Sequence, residues 1–131
     1  MRICLDTNAY SAIGRGNKNA IRIVESAEEV IVPATVVGEL MFGFLKGSRF
    51  SHNESDLDKF LSQDGVKLQP ITREIAERYG YAKAALMKNG TPIPENDIWI
   101  AATALETGTR LVSGDVHFDR VGGLVRIAVA V

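Results

Sequence analysis

At 131 residues, with 46% hydrophobic and 24% charged side chains, the chain is expected to form a single domain (residues 1–131) with a packed core and leaves little room for a second. Its 15 basic and 16 acidic residues give a formal charge of -1, so no strong net field announces a nucleic-acid or membrane partner. The lone Cys4 excludes an internal disulfide, Asp6 and Asn8 interrupt any leader-like apolar stretch, and no apolar run reaches membrane-spanning length. A soluble, cytoplasmic protein is expected.

RICLD (2–6) reads as a short buried strand, because its apolar run is continuous and bounded by polar residues. NKNAIRIVESAEE (17–29) carries Ala20, Ile23, Val24 and Ala27 on one helical stripe. VIVP (30–33) is a second strand, and TVVGELMFGFLKG (35–47) a helix apolar around most of its circumference, as expected of a buried helix. A more polar helix (51–65), a third strand VKLQPI (66–71) and a long helix (72–90) capped by Thr72 follow. The proline-bearing loop TPIPEN (91–96) leads into the helix NDIWIAATALETG (96–108), then strand TRLVSGD (109–115) and a last strand GLVRIAVAV (123–131).

Strands alternating with helices predict an α/β fold, a mostly parallel sheet with helices on both faces. In such a sheet strand C-termini and helix N-termini share one edge, where ligands bind. Asp6 follows the first strand and Asp115 the fourth, Glu39 lies in the first half of the helix after strand two, and Asp97 opens the helix before strand four. All four acids therefore belong to that edge.

Each acid also has an ordinary explanation. Asp6 and Asp115 suit turns or helix caps, and Asp97 after Asn96 suits a cap plus a helix-dipole contact. Glu39 sits beside Lys46, off the Val36, Leu40 and Phe44 stripe, as a surface residue would. It is nonetheless the only acid in a helix otherwise almost wholly apolar or glycine. Two ionised carboxylates about 4 Å apart repel by roughly 4 kcal/mol at an effective dielectric near 20. A cluster must then take up protons or bind a cation. Oxygen donors without a Cys or His set at zinc spacing point to Mg²⁺ or Mn²⁺, which activate water and neutralise phosphate oxygens.

The segments DTN, ATVVGEL, NDIWIAATAL and LVSGDVHF, in this order and placement, resemble the PIN domain of the small VapC type over essentially the whole chain. That resemblance implies a three-layer fold with sheet order 3-2-1-4-5 and a Mg²⁺- or Mn²⁺-dependent endoribonuclease acting on RNA. Such a protein is typically a homodimeric toxin paired with a VapB-type antitoxin whose basic C-terminal segment reaches the acidic pocket. Carried onto this chain, Asp6, Asp97 and Asp115 hold metal and Glu39 completes the pocket, positioning a second ion or the attacking water. Thr7, Asn8, Asn96 and Ser113 support them; Asn8 is expected to hydrogen bond within the site, and Asn96 has helix capping as its alternative. Where family members often carry a further acid two residues beyond Asp115, this chain has His117, which leaves one or two metal ions open. His117 is read either as an ordinary surface histidine or as a ligand or proton donor.

Arg15, Lys18, Arg22, Lys46 and Arg49 are candidate phosphate contacts, though a solvated face explains them too. Residues 40–45, LMFGFL, fit a partner groove or plain core. A PIN nuclease in RNA processing without an antitoxin is the alternative within the class. A receiver-like signalling domain, from another class, needs an acid pair after strand one and an aspartate ending strand three. A phosphatase of the haloacid-dehalogenase type needs a second aspartate where Asn8 stands.

Overall fold

The computed structural model describes residues 1–130. In chain order the elements are β1 (Arg2–Leu5), α1 (Thr7–Gly14), α2 (Lys18–Ser26), β2 (Glu29–Pro33), α3 (Ala34–Lys46) and α4 (Phe50–Leu61). They continue with β3 (Val66–Gln69), α5 (Arg73–Lys88), α6 (Glu95–Thr107), β4 (Arg110–Ser113), a 3₁₀ turn (Val116–Arg120) and β5 (Arg126–Ala128). The strands form one all-parallel sheet in the order β3-β2-β1-β4-β5. Fold class and strand order thus agree with the sequence-based expectation.

Burial explains the order of the strands. Ile3, Cys4 and Leu5 of β1, Ile31 and Val32 of β2, and Leu111 and Val112 of β4 have almost no exposed surface, as strands covered on both faces require. β3 sits at an edge, and its Lys67 and Leu68 are exposed. Helix α6 is the most enclosed: Ile98, Ile100 and four consecutive residues from Ala101 to Ala104 are buried, and the small alanines let its backbone approach the sheet. Gly108 ends it in the left-handed region (φ 65°), which glycine enters at no steric cost.

Several expectations are corrected. A helix, α1, starts directly after Asp6, where the sequence pattern predicts only a turn before a helix at Asn17. It is too short for a clear apolar period and is held by the buried Ala9 and Ala12. Asp6 is its N-cap, Oδ1 accepting the Ala9 N–H at 2.7 Å. Helix α3 is not buried all round: Val36 and Leu40 face the core, while Phe42 and Leu45 are 63% and 67% exposed. Apolar composition tells how much of a helix avoids water, not whether a neighbour exists to cover it. Pro94, not Asn96, caps α6, so Asn96 and Asp97 lie within its first turn and capping does not explain either. The last strand is only Arg126–Ala128, shorter than the predicted 123–131, and Val131 lies outside the described residues. Thr72 caps α5 as expected, its Oγ1 accepting the Ile75 N–H at 3.2 Å.

Among the described residues, no helix is long and apolar enough to cross a membrane.

Candidate active site

Parallel register brings the carboxyl ends of β1 and β4 side by side. Leu5 stands opposite Val112, and the Asp6 N–H donates to the Val112 carbonyl at 3.3 Å. The chain leaves β1 at Asp6 and β4 just before Asp115, while α3 and α6 begin nearby with Glu39 and Asp97 in their first halves. A cleft of about 210 Å³ is lined by Asp6, Thr7, Asn8, Glu39, Asp97, Asp115 and Phe118. The four acids singled out from the sequence therefore share one cleft, and among the described residues no lysine or arginine lines it. A larger cleft of about 630 Å³, between α5, Leu105 of α6 and residues 120–123, has no carboxylate in its wall among the described residues.

Each acid is held differently. Asp6 is 5% exposed, and burial pushes its carboxyl above the ordinary range; the Ser113 hydroxyl and the Ala9 N–H oppose that push, and Asp115 and Glu39 add to it. Glu39 accepts a short hydrogen bond from Thr7 Oγ1 (2.6 Å) on Oε1 and a longer one from Asn96 Nδ2 (3.4 Å) on Oε2. Asp97 is also raised, first by burial and then by Glu39 and Asp6, with His117 the main opposing influence. The Asp115 backbone N–H donates to Ser113 Oγ at 3.0 Å, which ties the loop after β4 to a fully buried hydroxyl.

Of the supporting residues, Thr7, Asn96 and Ser113 make these contacts. Asn8 is exposed on the cleft wall and takes part in none of the site's side-chain hydrogen bonds among the described residues; Thr7 and Asn96 steady Glu39 instead.

His117 is not the surface histidine that the sequence pattern favours. Its imidazole is 17% exposed and stands between two acids: Nε2 lies 2.8 Å from Asp97 Oδ2, and Nδ1 2.9 Å from Asp115 Oδ1. The neighbouring Phe118, buried to 1% exposure with its ring centroid 4.8 Å from the imidazole, anchors the 3₁₀ turn and so fixes where His117 points. An aspartate, one spacer, a histidine and a phenylalanine are the available signal, but only the turn aims the ring inward. Asp119, by contrast, faces away and chelates the Arg126 guanidinium at 2.9 and 3.0 Å, which lowers its carboxyl below the ordinary range.

Among the described residues, one donor atom each from Asp97, Asp115 and His117 fall within 4.8 Å of one another. Buried carboxylates raised by burial and mutual repulsion, with hard oxygen donors facing a cleft, fit a divalent cation. A parallel five-stranded sheet bearing such an acidic cleft at the carboxyl edge of β1 and β4 defines a class of α/β domain whose site carries the donors for a metal ion.

The PIN domain family matches residues 3–124, nearly the whole chain, and this protein belongs to that family. It is similar to ribonuclease VapC2 of Haemophilus influenzae, 33% identical over 124 residues that make up 92% of each chain. Ribonuclease VapC2 of Rickettsia felis is 26% identical over 82% of this chain and 79% of its own. Among solved structures, the R. felis VapBC2 complex bound to a promoter DNA fragment superposes with a TM-score of 0.88 at 25% identity, over 99% of this chain and 100% of that one. Mycobacterium tuberculosis VapC20, described as a toxin that cleaves the sarcin-ricin loop, shares the fold, with a TM-score of 0.69 at 20% identity over 96% and 98% of the two chains.

Proposed function

We propose that the protein is a divalent-metal-dependent endoribonuclease that hydrolyses RNA phosphodiester bonds, the toxin of a VapBC-type pair. The observation that carries this is the convergence of Asp6, Glu39, Asp97 and Asp115 on one cleft within a PIN fold. Relatives named ribonuclease VapC and structures of VapBC complexes support it. The acids would hold Mg²⁺ or Mn²⁺, with Asp6, Asp97 and Asp115 as first ligands and Glu39 completing the pocket. An ion held there would supply activation of water and neutralisation of charge on the scissile phosphate.

The chain's own residues supply the geometry. Asp6 is locked by its N-cap bond and walled off from bulk water, so its carboxylate costs little to orient. Thr7 pins one oxygen of Glu39 and leaves the other to the weaker Asn96 bond, so that oxygen is free to turn toward a water molecule. An acidic cleft without basic walls repels an RNA backbone until a cation is present, which makes metal a condition of substrate entry.

The protein partner follows from the fold. Phe42 and Leu45 leave an apolar face on α3, and Phe42 lines a cleft shared with Glu39, Thr7 and Asn96. A VapB-type antitoxin laid on this face would reach the acidic site with a basic side chain. A homodimer and a cytoplasmic location complete the reading, with one domain spanning the chain. Incubating a structured RNA with native protein in Mg²⁺, Mn²⁺ or EDTA, beside Glu39→Gln and Asp97→Asn, tests it. Metal-dependent internal cleavage lost in both variants is expected; cleavage in EDTA or undiminished in the variants overturns it.

A further inference from the structure

The acidic quartet leaves one buried polar atom of the cleft region without an assignment, His117 Nε2, which has no hydrogen-bond partner. It nevertheless lies only 2.8 Å from Asp97 Oδ2. That oxygen stands at ion-pair distance but off the line of a regular hydrogen bond, so the contact is chiefly one of charge. Two donors on one ion at right angles, each about 2.0–2.2 Å from it, stand about 3 Å apart and aim at the ion rather than at each other. The pair Nε2 and Oδ2 has that spacing and that misalignment.

The other ring nitrogen agrees. A metal-bound histidine usually turns its second nitrogen to a carboxylate, which fixes the tautomer and the ring plane. Here Nδ1 faces Asp115 Oδ1 at 2.9 Å, and the His117 backbone N–H donates to the same oxygen at 3.1 Å. Asp115 thus has one oxygen committed to His117 and one left for the cleft. Phe118 anchors the turn in the core, so the ring is held in place before any ion arrives.

We propose that His117 is a nitrogen ligand of the catalytic metal, bound through Nε2 beside Asp97, and that this mixed nitrogen and oxygen donor set selects Mn²⁺ over Mg²⁺. Mg²⁺ is a hard ion that keeps to oxygen and water, whereas imidazole suits transition ions. The inference rests on the metal-dependent reading above and narrows it to one ion class.

The test uses the full chain stripped with EDTA and titrated with Mn²⁺ or Mg²⁺ by calorimetry, with pulsed electron paramagnetic resonance of the Mn²⁺ form to detect directly coordinated nitrogen. His52 is the chain's only other histidine and lies on α4 against Asp56, so His52→Gln is the control. Nitrogen coupling is expected in native protein and His52→Gln and is expected to vanish in His117→Gln. Mn²⁺ affinity is expected to fall about 10–100-fold in His117→Gln while Mg²⁺ affinity moves less than about threefold, and His117→Asp narrows the preference between the ions. Mn²⁺ binding without nitrogen coupling in the native protein overturns the ligand role, and so does an equal loss of both ions in His117→Gln, which marks the ring as a spacer. Native protein that binds neither ion sinks the metal-dependent nuclease reading as well. Spectra of native protein and His52→Gln decide the matter even if a variant at 117 fails to fold.

Discussion

Replacing Asp97 by asparagine separates a carboxylate kept for chemistry from one kept for structure. Its donor oxygen and one of Asp115 lie within 4.8 Å, so two full charges there repel by about 3.5 kcal/mol at an effective dielectric of 20. Asp115 is 45% exposed, and solvent and salt cut that figure to about 1.5 kcal/mol. Against this, the neutral amide gives up a favourable charge in the first turn of α6, about 0.5 kcal/mol. The charge facing His117 Nε2 at 2.8 Å is also lost, about 0.5 kcal/mol at this partly exposed site, so the net gain is about 0.5 kcal/mol, or roughly 2 °C in Tm for a chain of this size. Differential scanning fluorimetry in EDTA at pH 8 is expected to show Asp97→Asn melting above native protein, because the folded Asp97 carboxyl is raised. Saturating Mn²⁺ at about 100 times Kd stabilises the native chain by about 2.7 kcal/mol, and that increment is expected to disappear in the variant. A metal-free Asp97→Asn that melts several degrees below native protein, or a variant that keeps the full metal increment, overturns the assignment of Asp97 as a carboxylate kept for metal binding.

Three further outcomes follow from the same geometry. Asp6 and Asp97 have folded carboxyls raised by burial, so the stability linked to their protonation is fully present below the unfolded value and is lost as pH rises through the folded one. The Tm advantage of Asp6→Asn and Asp97→Asn in EDTA should therefore be absent near pH 3.5 and grow toward neutrality, which a melting series across pH checks. Thr7→Val removes the 2.6 Å bond to Glu39, and with a charged acceptor at a half-buried site about 1.4 kcal/mol of positioning is lost; single-turnover cleavage is expected to slow about tenfold with Tm little changed. Phe42→Ser with Leu45→Ser should leave melting within about 2 °C of native, because both side chains are exposed, while co-purification with the antitoxin falls sharply.

Local patterns carry most of the fold into view. Three of the acids sit beside an element boundary that the sequence marks by itself: Asp6 at the end of an apolar run, Asp97 after a proline loop, Asp115 past the short strand ending in Ser113. The parallel sheet then gathers those boundaries on one edge, so independent local readings add up to a shared cleft. Helix α1 leaves no such mark, because an eight-residue helix held by two buried alanines has no period to detect. Exposure of Phe42 and Leu45 is equally hidden, because composition does not say whether another element lies over a helix. The inward aim of His117 depends on Phe118 entering the core and rotating the 3₁₀ turn, a tertiary event with no local signature.

In the proposed mechanism Asp6 serves chemistry as well as capping α1, and Asp6→Asn divides the two, since asparagine caps a helix as well as aspartate does. Single-turnover cleavage of one RNA by native and Asp6→Asn protein, both folded and both in saturating Mn²⁺, is the direct measurement. Native protein is expected to cut and the variant to lose at least about a hundredfold in rate, which is about 2.7 kcal/mol of transition-state stabilisation. Equal rates would contradict the claim and return Asp6 to the role of a helix cap.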